Sequence, residues 1–311
     1  MGSYLNSTTP YTLYKSESLS PYFVDKTLML RELFPYVNAG NRHICITRPR
    51  RFGKTIAANM ISAFFQKGQD SGDIFDGLKI SQVEGYRKYK NQYNVIRIDF
   101  SKMPKNCETY KQYIERIEEL LIEDIKAAYP TARINEDDAI GDILESIFAQ
   151  YDGEKFIFVL DEWDFIFHRD FINENDKEKY VAFLSNLLKD RPYVVLSYMT
   201  GILPIAKYSS GSELNMFAEF TMVNSPMFGE YFGFTDDEVD DLALMISGES
   251  VTAKIQEYAA TSMNLSTRDE IYSAMVVYGF LSYLNGRVCI PNRELMEKFD
   301  ELLVKMNQLD M

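Results

Sequence analysis

The chain has 311 residues, of which 46% are hydrophobic, and a formal net charge of −13 at pH 7. That length exceeds a typical single domain, so we expect one large and one small domain. The negative charge argues against a general electrostatic grip on nucleic acid or on anionic membranes. The three cysteines are widely separated, which indicates free thiols in a reducing compartment rather than a metal site.

The first residues, 1–19, are polar, and we expect them to form a lead-in before the first domain. They contain no basic segment followed by an apolar core, so we expect no secretory signal. The longest apolar stretch, 193–206, is interrupted by polar residues and is too short to span a bilayer. These features predict a cytoplasmic protein without a membrane contact.

Helical and strand-like patterns alternate along residues 20–235, which we take as the first domain. A strand buried on both faces reads as a continuous apolar run, whereas a covering helix shows a period of 3.6 residues. The predicted helices are 28–37, 56–66, 109–128, 137–151 and 177–189, and the predicted strands are 43–47, 94–99, 156–160, 193–199 and 220–223. This alternation predicts an α/β fold, a mostly parallel sheet flanked by helices.

The predicted strand 43–47 leads into Arg48-Pro-Arg-Arg-Phe-Gly-Lys-Thr55, and a helical pattern follows. A strand, a tight turn with Gly-Lys-Thr and a helix form the setting of a phosphate-binding loop, as in P-loop NTPases. Backbone N–H groups at the helix start would converge on an anion. Lys54 would reach the β- and γ-phosphates of ATP, and the Thr55 hydroxyl would hold Mg²⁺. The predicted nucleotide contacts are Arg48, Pro49, Arg50, Arg51, Phe52, Gly53, Lys54 and Thr55.

Arg48 departs from the standard loop pattern, which has glycine five residues before Gly53. A side chain at that position cannot enter a loop that needs a positive φ without strain. We therefore expect a loop of different shape. In it, Arg48 would turn outward or contact the phosphates from the side.

Asp161 and Glu162 follow the apolar run 156–160, at the strand end where α/β sheets place ligand chemistry. Asp161 would support the Mg²⁺ shell, usually through water, and Glu162 would polarise the water that attacks the γ-phosphate. A solvated acidic turn after a core strand is the alternative. Two motifs in this order, each after a strand-like run, favour the ATPase interpretation.

Polar residues near the end of the fourth predicted strand are candidates for sensing the γ-phosphate. Thr200 and Ser197 are the two candidates, and we take Thr200 as the catalytic one. A Thr-Gly turn that closes the strand needs no ligand and accounts for the same residues equally well.

From residue 236 the strand alternation stops, and 236–311 predict a small C-terminal module. Its predicted helices are 251–260, 267–281 and 293–306, with a hairpin at 282–290 that turns at Asn285-Gly286. Helices with a hairpin indicate a winged-helix-like module. Residues 251–311 carry six Lys/Arg and eight Asp/Glu, so 6 − 8 gives −2, and we expect a packing or partner-contact role rather than DNA binding.

Several blocks together resemble the predicted AAA-ATPase-like family, whose relatives are the archaeal-type and STAND P-loop ATPases. The matching blocks are Tyr22-Phe-Val-Asp-Lys-Thr27, Thr47-Arg-Pro-Arg-Arg-Phe-Gly-Lys-Thr55, Leu160-Asp-Glu-Trp-Asp164, Thr200-Gly-Ile-Leu-Pro204, Tyr278-Gly-Phe-Leu-Ser-Tyr283 and Ile290-Pro-Asn-Arg-Glu-Leu295. Arginine before the proline of the loop is characteristic of that family. The resemblance implies binding of ATP. Members often carry a PD-(D/E)XK-type nuclease domain after the ATPase, for which the residues up to Met311 leave no room.

The first functional hypothesis is a Mg²⁺-dependent ATPase in which Lys54, Glu162 and Thr200 act at the γ-phosphate. The second is a nucleotide-gated interaction switch with slow or incidental turnover, and the third is a degenerate scaffold that binds no nucleotide. We expect ATP/ADP as ligands and a protein partner or a second copy of the chain as a further contact. Arg169 and Arg191 are candidates for an arginine finger, and one acting in trans would make hydrolysis depend on an oligomer.

Overall fold

The computed structural model describes residues 2–20, 23–48, 52–208, 212–221, 226–232, 245, 248–252, 268–277, 281–291, 296–297 and 299. The chain divides into two compact units. The first comprises Met1–Lys15 and Thr27–Phe228, and the second comprises Ser16–Lys26 and Gly229–Met311. The domain limits at residues 19 and 235 stay predictions.

Within the described part of the first unit, five strands form a parallel sheet of order β2-β3-β4-β1-β5. The strands are β1 His43–Thr47, β2 Asn94–Asp99, β3 Phe156–Asp161, β4 Val194–Gly201 and β5 Ala218–Phe220. Three of them, β1, β3 and β4, are buried along their whole length, which explains their continuous apolar runs. The prediction of an α/β fold with a parallel sheet is confirmed.

The helices of this unit alternate with the strands. They are α1 Thr9–Ser18, α2 Met29–Leu33, α3 Lys54–Phe65, α4 Gly72–Phe75, α5 Tyr86–Tyr89, α6 Tyr110–Ala128, α7 Ile140–Gln150 and α8 Glu174–Leu188. The Thr109 hydroxyl accepts a hydrogen bond from the N–H of Gln112 and so caps the start of α6, and a capping box of Asn173 and Asp176 starts α8. Among the described residues, no helix combines the length and the apolar character that crossing a membrane requires.

Helices cover both faces of the sheet. Phe156, Phe158 and Leu160 of β3 share one apolar cluster with buried side chains of α6, α7 and α8. The intervening Ile157 and Val159 point to the other face and are equally buried, and α3 contacts β2, β3 and β4 there. The strand that carries Asp161 is therefore held between two apolar layers, and its carboxyl end lies beside the start of α3.

Residues 2–15 pack into the first unit, although their polar composition led us to expect a lead-in. Leu5 is buried and forms an antiparallel bridge with Ile96 of β2. The buried carboxylate of Asp124 on α6 accepts hydrogen bonds from the N–H groups of Ser3, Tyr4 and Leu5 at 2.8, 2.6 and 3.0 Å. Residues 2–15 thus belong to the first unit, because a few buried contacts outweigh their polar composition.

The described part of the second unit includes a small antiparallel sheet of order β6-β8-β7 and a helix. These elements are β6 Val251–Thr252, α9 Arg268–Val277, β7 Ser282–Leu284 and β8 Arg287–Cys289. The predicted hairpin is confirmed, since Asn285 and Gly286 have φ values of 52° and 80° between β7 and β8. The helix predicted at 251–260 is wrong at its first two residues, where Val251 pairs with Val288.

Residues 253–260 and most of the helix predicted at 293–306 lie outside the described residues. The helix predicted at 267–281 is present as α9. A short helix and a three-stranded antiparallel sheet do not by themselves define a winged helix, so that assignment stays a prediction.

Candidate functional site

The predicted phosphate loop lies between the end of β1 and the start of α3. Gly53 has a φ of 79°, a left-handed conformation that favours glycine, and it leads directly into the helix. The start of α3 has no side-chain cap, so its first N–H groups are available to an anion. Pro49, Arg50 and Arg51 lie outside the described residues, and their nucleotide contacts stay predictions.

Two of the predicted site residues meet directly at this helix start. Lys54 Nζ lies 3.4 Å from Glu162 Oε1, and the exposed fractions of the two side chains are 4% and 25%. Thr55 follows on the exposed side of the helix. A nearly buried lysine aimed at a carboxylate at the mouth of the site gives this edge of the sheet one cation and one anion that a ligand could separate.

Glu162 has an unusual backbone conformation for a residue with a side chain. Its φ is 53°, and the next residue, Trp163, donates its N–H to the carbonyl oxygen of Thr200 at 3.1 Å. Left-handed backbone costs a non-glycine residue on the order of 1 kcal/mol and concentrates at functional sites. The left-handed residue comes directly after β3, and its carboxylate is the one that contacts Lys54.

Asp161 is wholly buried at the end of β3. Its Oδ2 accepts a hydrogen bond from Arg97 Nη2 at 3.2 Å, whereas Oδ1 has no hydrogen-bond partner within the described part of the chain. Burial raises the pKa of Asp161 to about 6, and the charge of Arg97 and the nearby Thr55 hydroxyl oppose that rise in the pKa. One oxygen of this buried carboxylate therefore has a hydrogen-bonding capacity that no described residue uses.

Arg97 is a site residue that the sequence reasoning missed. It lies on β2 opposite Val159, so its side chain is on the same face of the sheet as Asp161, two residues further along β3. The sequence contained one sign of it, an arginine inside a strand that is otherwise predicted to be buried. A buried guanidinium needs an anionic partner. That partner could not be chosen until the neighbouring strand was known.

Thr200 and Ser197, the candidate γ-phosphate sensors, are both engaged inside the sheet. Thr200 is fully buried within β4, and its hydroxyl donates to the carbonyl oxygen of Ile46 at 2.9 Å. This hydroxyl holds β4 to β1 rather than facing the mouth of the site, and the alternative of a Thr-Gly turn is wrong because both residues continue the strand. Ser197 Oγ lies 2.8 Å from Nδ1 of His43, at the amino-terminal end of β1. The sensor hypothesis for Ser197 is wrong, since the site lies at the opposite edge.

Arg48 does not turn outward, so the first of its two expected placements is wrong, whereas contact with the phosphates from the side stays a prediction. Only 2% of the residue is exposed. Its Nη1 donates to the carbonyl oxygens of Thr47 and Phe220 at 2.8 and 3.0 Å, and its own N–H donates to the carbonyl oxygen of Gly201 at 3.0 Å. The side chain thus joins the ends of β1 and β5, which the sequence could not show because β5 is only three residues long.

Asp164 lies two residues after Glu162, in the same acidic turn. Its buried carboxylate accepts hydrogen bonds from the N–H groups of Ile202 at 3.1 Å and Leu203 at 2.9 Å. Together with the bond from Trp163 to Thr200, these contacts fasten the acidic turn to the end of β4. The conformation of Glu162 is therefore coupled to the segment that follows β4.

The two arginine-finger candidates differ in their surroundings. Arg191 precedes β4 and donates to the carboxylates of Asp142 and Glu145 on α7. Arg169 follows the acidic turn, and its guanidinium carbon lies 4.2 Å from the centroid of the Phe165 ring. Arg191 therefore forms ion pairs near the amino-terminal ends of the strands, whereas Asp161 lies at the carboxyl end of β3.

Comparison with known proteins adds one finding. The family described as Predicted AAA-ATPase matches residues 14–210, more than half of the chain. The chain belongs to this AAA-ATPase-like family. The matched region includes the loop 48–55, Asp161, Glu162 and the whole parallel sheet up to β4. No curated protein and no solved structure matches the chain.

Membership of the AAA-ATPase-like family implies a nucleotide and usually Mg²⁺. The geometry fits both groups. The uncapped start of α3 and the nearly buried Lys54 suit the phosphates. The open Oδ1 of Asp161, with the Thr55 hydroxyl nearby, suits a hard cation that prefers oxygen ligands.

Proposed function

We propose that this AAA-ATPase-like protein is a P-loop NTPase that binds ATP with Mg²⁺ at the carboxyl edge of the parallel sheet and hydrolyses the bond to the γ-phosphate. The observation that carries the proposal is the contact between Lys54 Nζ and Glu162 Oε1 at 3.4 Å, next to the buried carboxylate of Asp161. A phosphate-binding cation, a base and a metal-supporting carboxylate thereby meet at one helix start.

The helix start and Lys54 would hold the phosphates. N–H groups of the first turn of α3 donate to phosphate oxygens, and Lys54 adds a positive charge that its near burial keeps poorly screened. Arg48 would support the loop indirectly, because its hydrogen bond to Phe220 fixes the end of β1, where the loop begins. Pro49, Arg50, Arg51 and Phe52 complete the proposed loop.

Thr55 and Asp161 would hold Mg²⁺, the hydroxyl directly and the carboxylate through water. When bound, the ion neutralises charge on the β- and γ-phosphate oxygens. The chain contributes an oxygen at each position, and Oδ1 of Asp161 has no hydrogen-bond partner within the described residues. The buried position keeps this carboxylate in a fixed orientation.

Glu162 would act as the general base. In this structure its carboxylate is paired with Lys54, and phosphate oxygens that attract Lys54 would release it toward the attacking water. The strained backbone at residue 162 directs the side chain outward from a strand that is otherwise wholly buried. Thr200 has no step in this proposal, since its hydroxyl supports β1.

Calorimetric titration with ATP and Mg²⁺ tests the binding part of the proposal. Lys54→Ala should abolish ATP affinity, because it removes the charge aimed at the β- and γ-phosphates. Lys67→Ala is the matched control: it also removes one lysine, but Lys67 pairs with Glu154 away from this edge. Unchanged affinity of Lys54→Ala would contradict the phosphate-loop assignment.

A nucleotide-gated switch is the second candidate function, favoured by the bonds that fasten the acidic turn to the end of β4. A change at Glu162 on nucleotide binding would reach Ile202 and Leu203 through Asp164. Turnover measured against protein concentration, with molecular size determined in ATP and in ADP, separates the two functions. A switch predicts a size or partner change with negligible turnover. The retained Lys54 and Asp161 disfavour a degenerate scaffold.

We also propose that residues 236–311, as a winged-helix-like module, contact a protein partner or a second copy of the chain rather than DNA. The charge count of −2 over 251–311 supports this, because an acidic surface offers little release of counterions from duplex DNA. Fluorescence anisotropy with labelled duplex DNA at physiological salt tests it. Micromolar or tighter binding that weakens with salt would contradict it.

A further inference from the structure

Arg97 contacts the carboxylate of Asp161, which we propose supports the metal. Its Nη2 lies 3.2 Å from Asp161 Oδ2, and the exposed fractions of the two side chains are 8% and 1%. The pair lies on adjacent parallel strands, with Arg97 opposite Val159 and Asp99 opposite Asp161. Strand pairing fixes the backbones that carry the two groups, and both side chains are nearly buried.

The two oxygens of Asp161 are therefore not equivalent. Oδ2 is occupied by Arg97, while Oδ1 has no hydrogen-bond partner among the residues that the structure describes. A carboxylate free to rotate would offer either oxygen, whereas one held at Oδ2 presents Oδ1 in a fixed direction. Outer-shell partners of metal ligands act in this way, and their loss typically costs about 10–100-fold in metal affinity or activity.

A structural role alone explains the pair less well. Burying a guanidinium and a carboxylate costs more free energy than the pair returns unless further hydrogen bonds satisfy both groups. Here Asp161 Oδ1 and Arg97 Nε both lack a hydrogen-bond partner within the described residues. Replacing a buried ion pair by apolar residues is often neutral or stabilising, so a role in the site accounts for this pair better than a role in the fold.

We propose that Arg97 is a positioning residue for the metal site: it holds Asp161 through Oδ2 so that Oδ1 faces the water shell of Mg²⁺. This inference rests on the proposed function and assigns within it a residue outside both sequence motifs. Arg97 itself touches neither the metal nor the phosphates.

The test is a titration of Mg²⁺ into protein with a fluorescent, non-hydrolysable methylanthraniloyl-ATP analogue, which reports nucleotide binding without turnover. Arg97→Gln should raise the half-saturating Mg²⁺ concentration about tenfold or more, with binding in EDTA unchanged. Arg97→Lys, which keeps a charged donor, should restore most of the Mg²⁺ dependence and also serves if Arg97→Gln does not fold. Tyr198→Phe is the matched control, since Tyr198 lies opposite Val159 on the other side, and its buried hydroxyl has no hydrogen-bond partner among the described residues.

A double-mutant cycle localises the effect. In an Asp161→Asn background, Arg97→Gln should leave the Mg²⁺ requirement unchanged, because the oxygen that Arg97 positions is then no longer a carboxylate oxygen. A lower Mg²⁺ requirement in Arg97→Gln would overturn the proposal and identify Arg97 as a competitor of the metal. An unchanged requirement, with Mg²⁺-dependent binding by the wild type, would overturn the proposal alone. Absence of Mg²⁺-dependent binding by the wild type would overturn the proposed function and this role together.

Discussion

Gly201 lies against the Asp164 carboxylate so closely that a methyl group at Gly201 would stand 2.5 Å from Asp164 Oδ1. The same methyl group would be 2.6 Å from Cδ1 of Trp163. Both neighbours are buried, and Asp164 is bonded to the N–H groups of Ile202 and Leu203. The end of β4 and the acidic turn after β3 therefore fit together only with glycine at this position.

Gly201→Ala should consequently destabilise the first unit by about 1–3 kcal/mol, the usual cost of overpacking a buried site. Urea unfolding followed by tryptophan fluorescence measures this, since Trp163 is the single tryptophan of the chain. Gly40→Ala is the control, because a methyl group at Gly40 would meet no atom within 4 Å. Equal stability of the two variants would contradict the close fit described here.

Arg48→Ala should destabilise the fold by about 2–4 kcal/mol, because it leaves the buried carbonyl oxygen of Thr47 and the part-buried carbonyl oxygen of Phe220 without this donor. Arg48→Gly should cost at least as much, whereas a standard glycine loop would tolerate or prefer glycine there. Chemical denaturation measures the stability, and ATP titration of the folded variants measures the site. A variant as stable as wild type would show that these hydrogen bonds do not stabilise the sheet.

The strands of the sheet centre were predictable, and the contacts between them were not. β1 and β2 have the bounds that their apolar runs predicted, because a strand buried on both faces leaves a clear signal. β5 is three residues long with every residue half-buried, so its start at Ala218 rather than 220 left no such signal. The residues of β6 were predicted to be helical because a strand of two residues is too short to show the alternation of buried and exposed side chains.

The candidate site divides in the same way. Lys54 and Glu162 could be paired from motif order alone, because parallel strands place their carboxyl ends at one edge. Arg97, Asp164 and Arg48 act through contacts between elements that are distant in sequence, with partners at residues 161, 203 and 220. Such partners depend on strand order and register, which no local pattern contains.

The buried His43 should make the protein less stable in acid. Burial, aided by Arg42, lowers the pKa of His43 from its ordinary value of 6.5 to about 4. Between these two values the unfolded chain binds a proton that the folded chain does not, so stability falls as the pH drops from 6.5 toward 4. The full difference corresponds to about 3 kcal/mol, from about 1.4 kcal/mol per pKa unit.

Thermal unfolding of wild type and His43→Gln at several pH values measures this contribution. Glutamine keeps a polar group near Ser197 Oγ, which lies 2.8 Å from His43 Nδ1, but it does not titrate. The variant should lose less stability than wild type between pH 6.5 and 4. Because burial raises the pKa of Asp161 to about 6, that group has the opposite dependence and is common to both proteins. Parallel pH profiles of the two proteins would contradict the buried, neutral state of His43.

Glu162 separates an enzyme from a switch. Its carboxylate lies 3.4 Å from Lys54 Nζ and is partly exposed at the end of a buried strand. A glutamine of the same size can still hold a water molecule but accepts its proton far less readily. Glu162→Gln should therefore keep ATP and Mg²⁺ binding, while hydrolysis falls by a factor on the order of 10²–10⁴, the usual contribution of a general base.

Glu162→Gly provides the companion measurement, because the left-handed backbone at residue 162, with a φ of 53°, suits glycine better than glutamate. This variant should hydrolyse ATP as slowly as Glu162→Gln. Its free energy of unfolding, measured with urea, should nevertheless be about 1 kcal/mol higher than that of the wild type. A gain in stability with a loss of turnover would show that the strained conformation is kept for the carboxylate it presents. If both variants hydrolyse ATP at the wild-type rate, Glu162 is not the base, and the nucleotide-gated switch becomes the better account of the site.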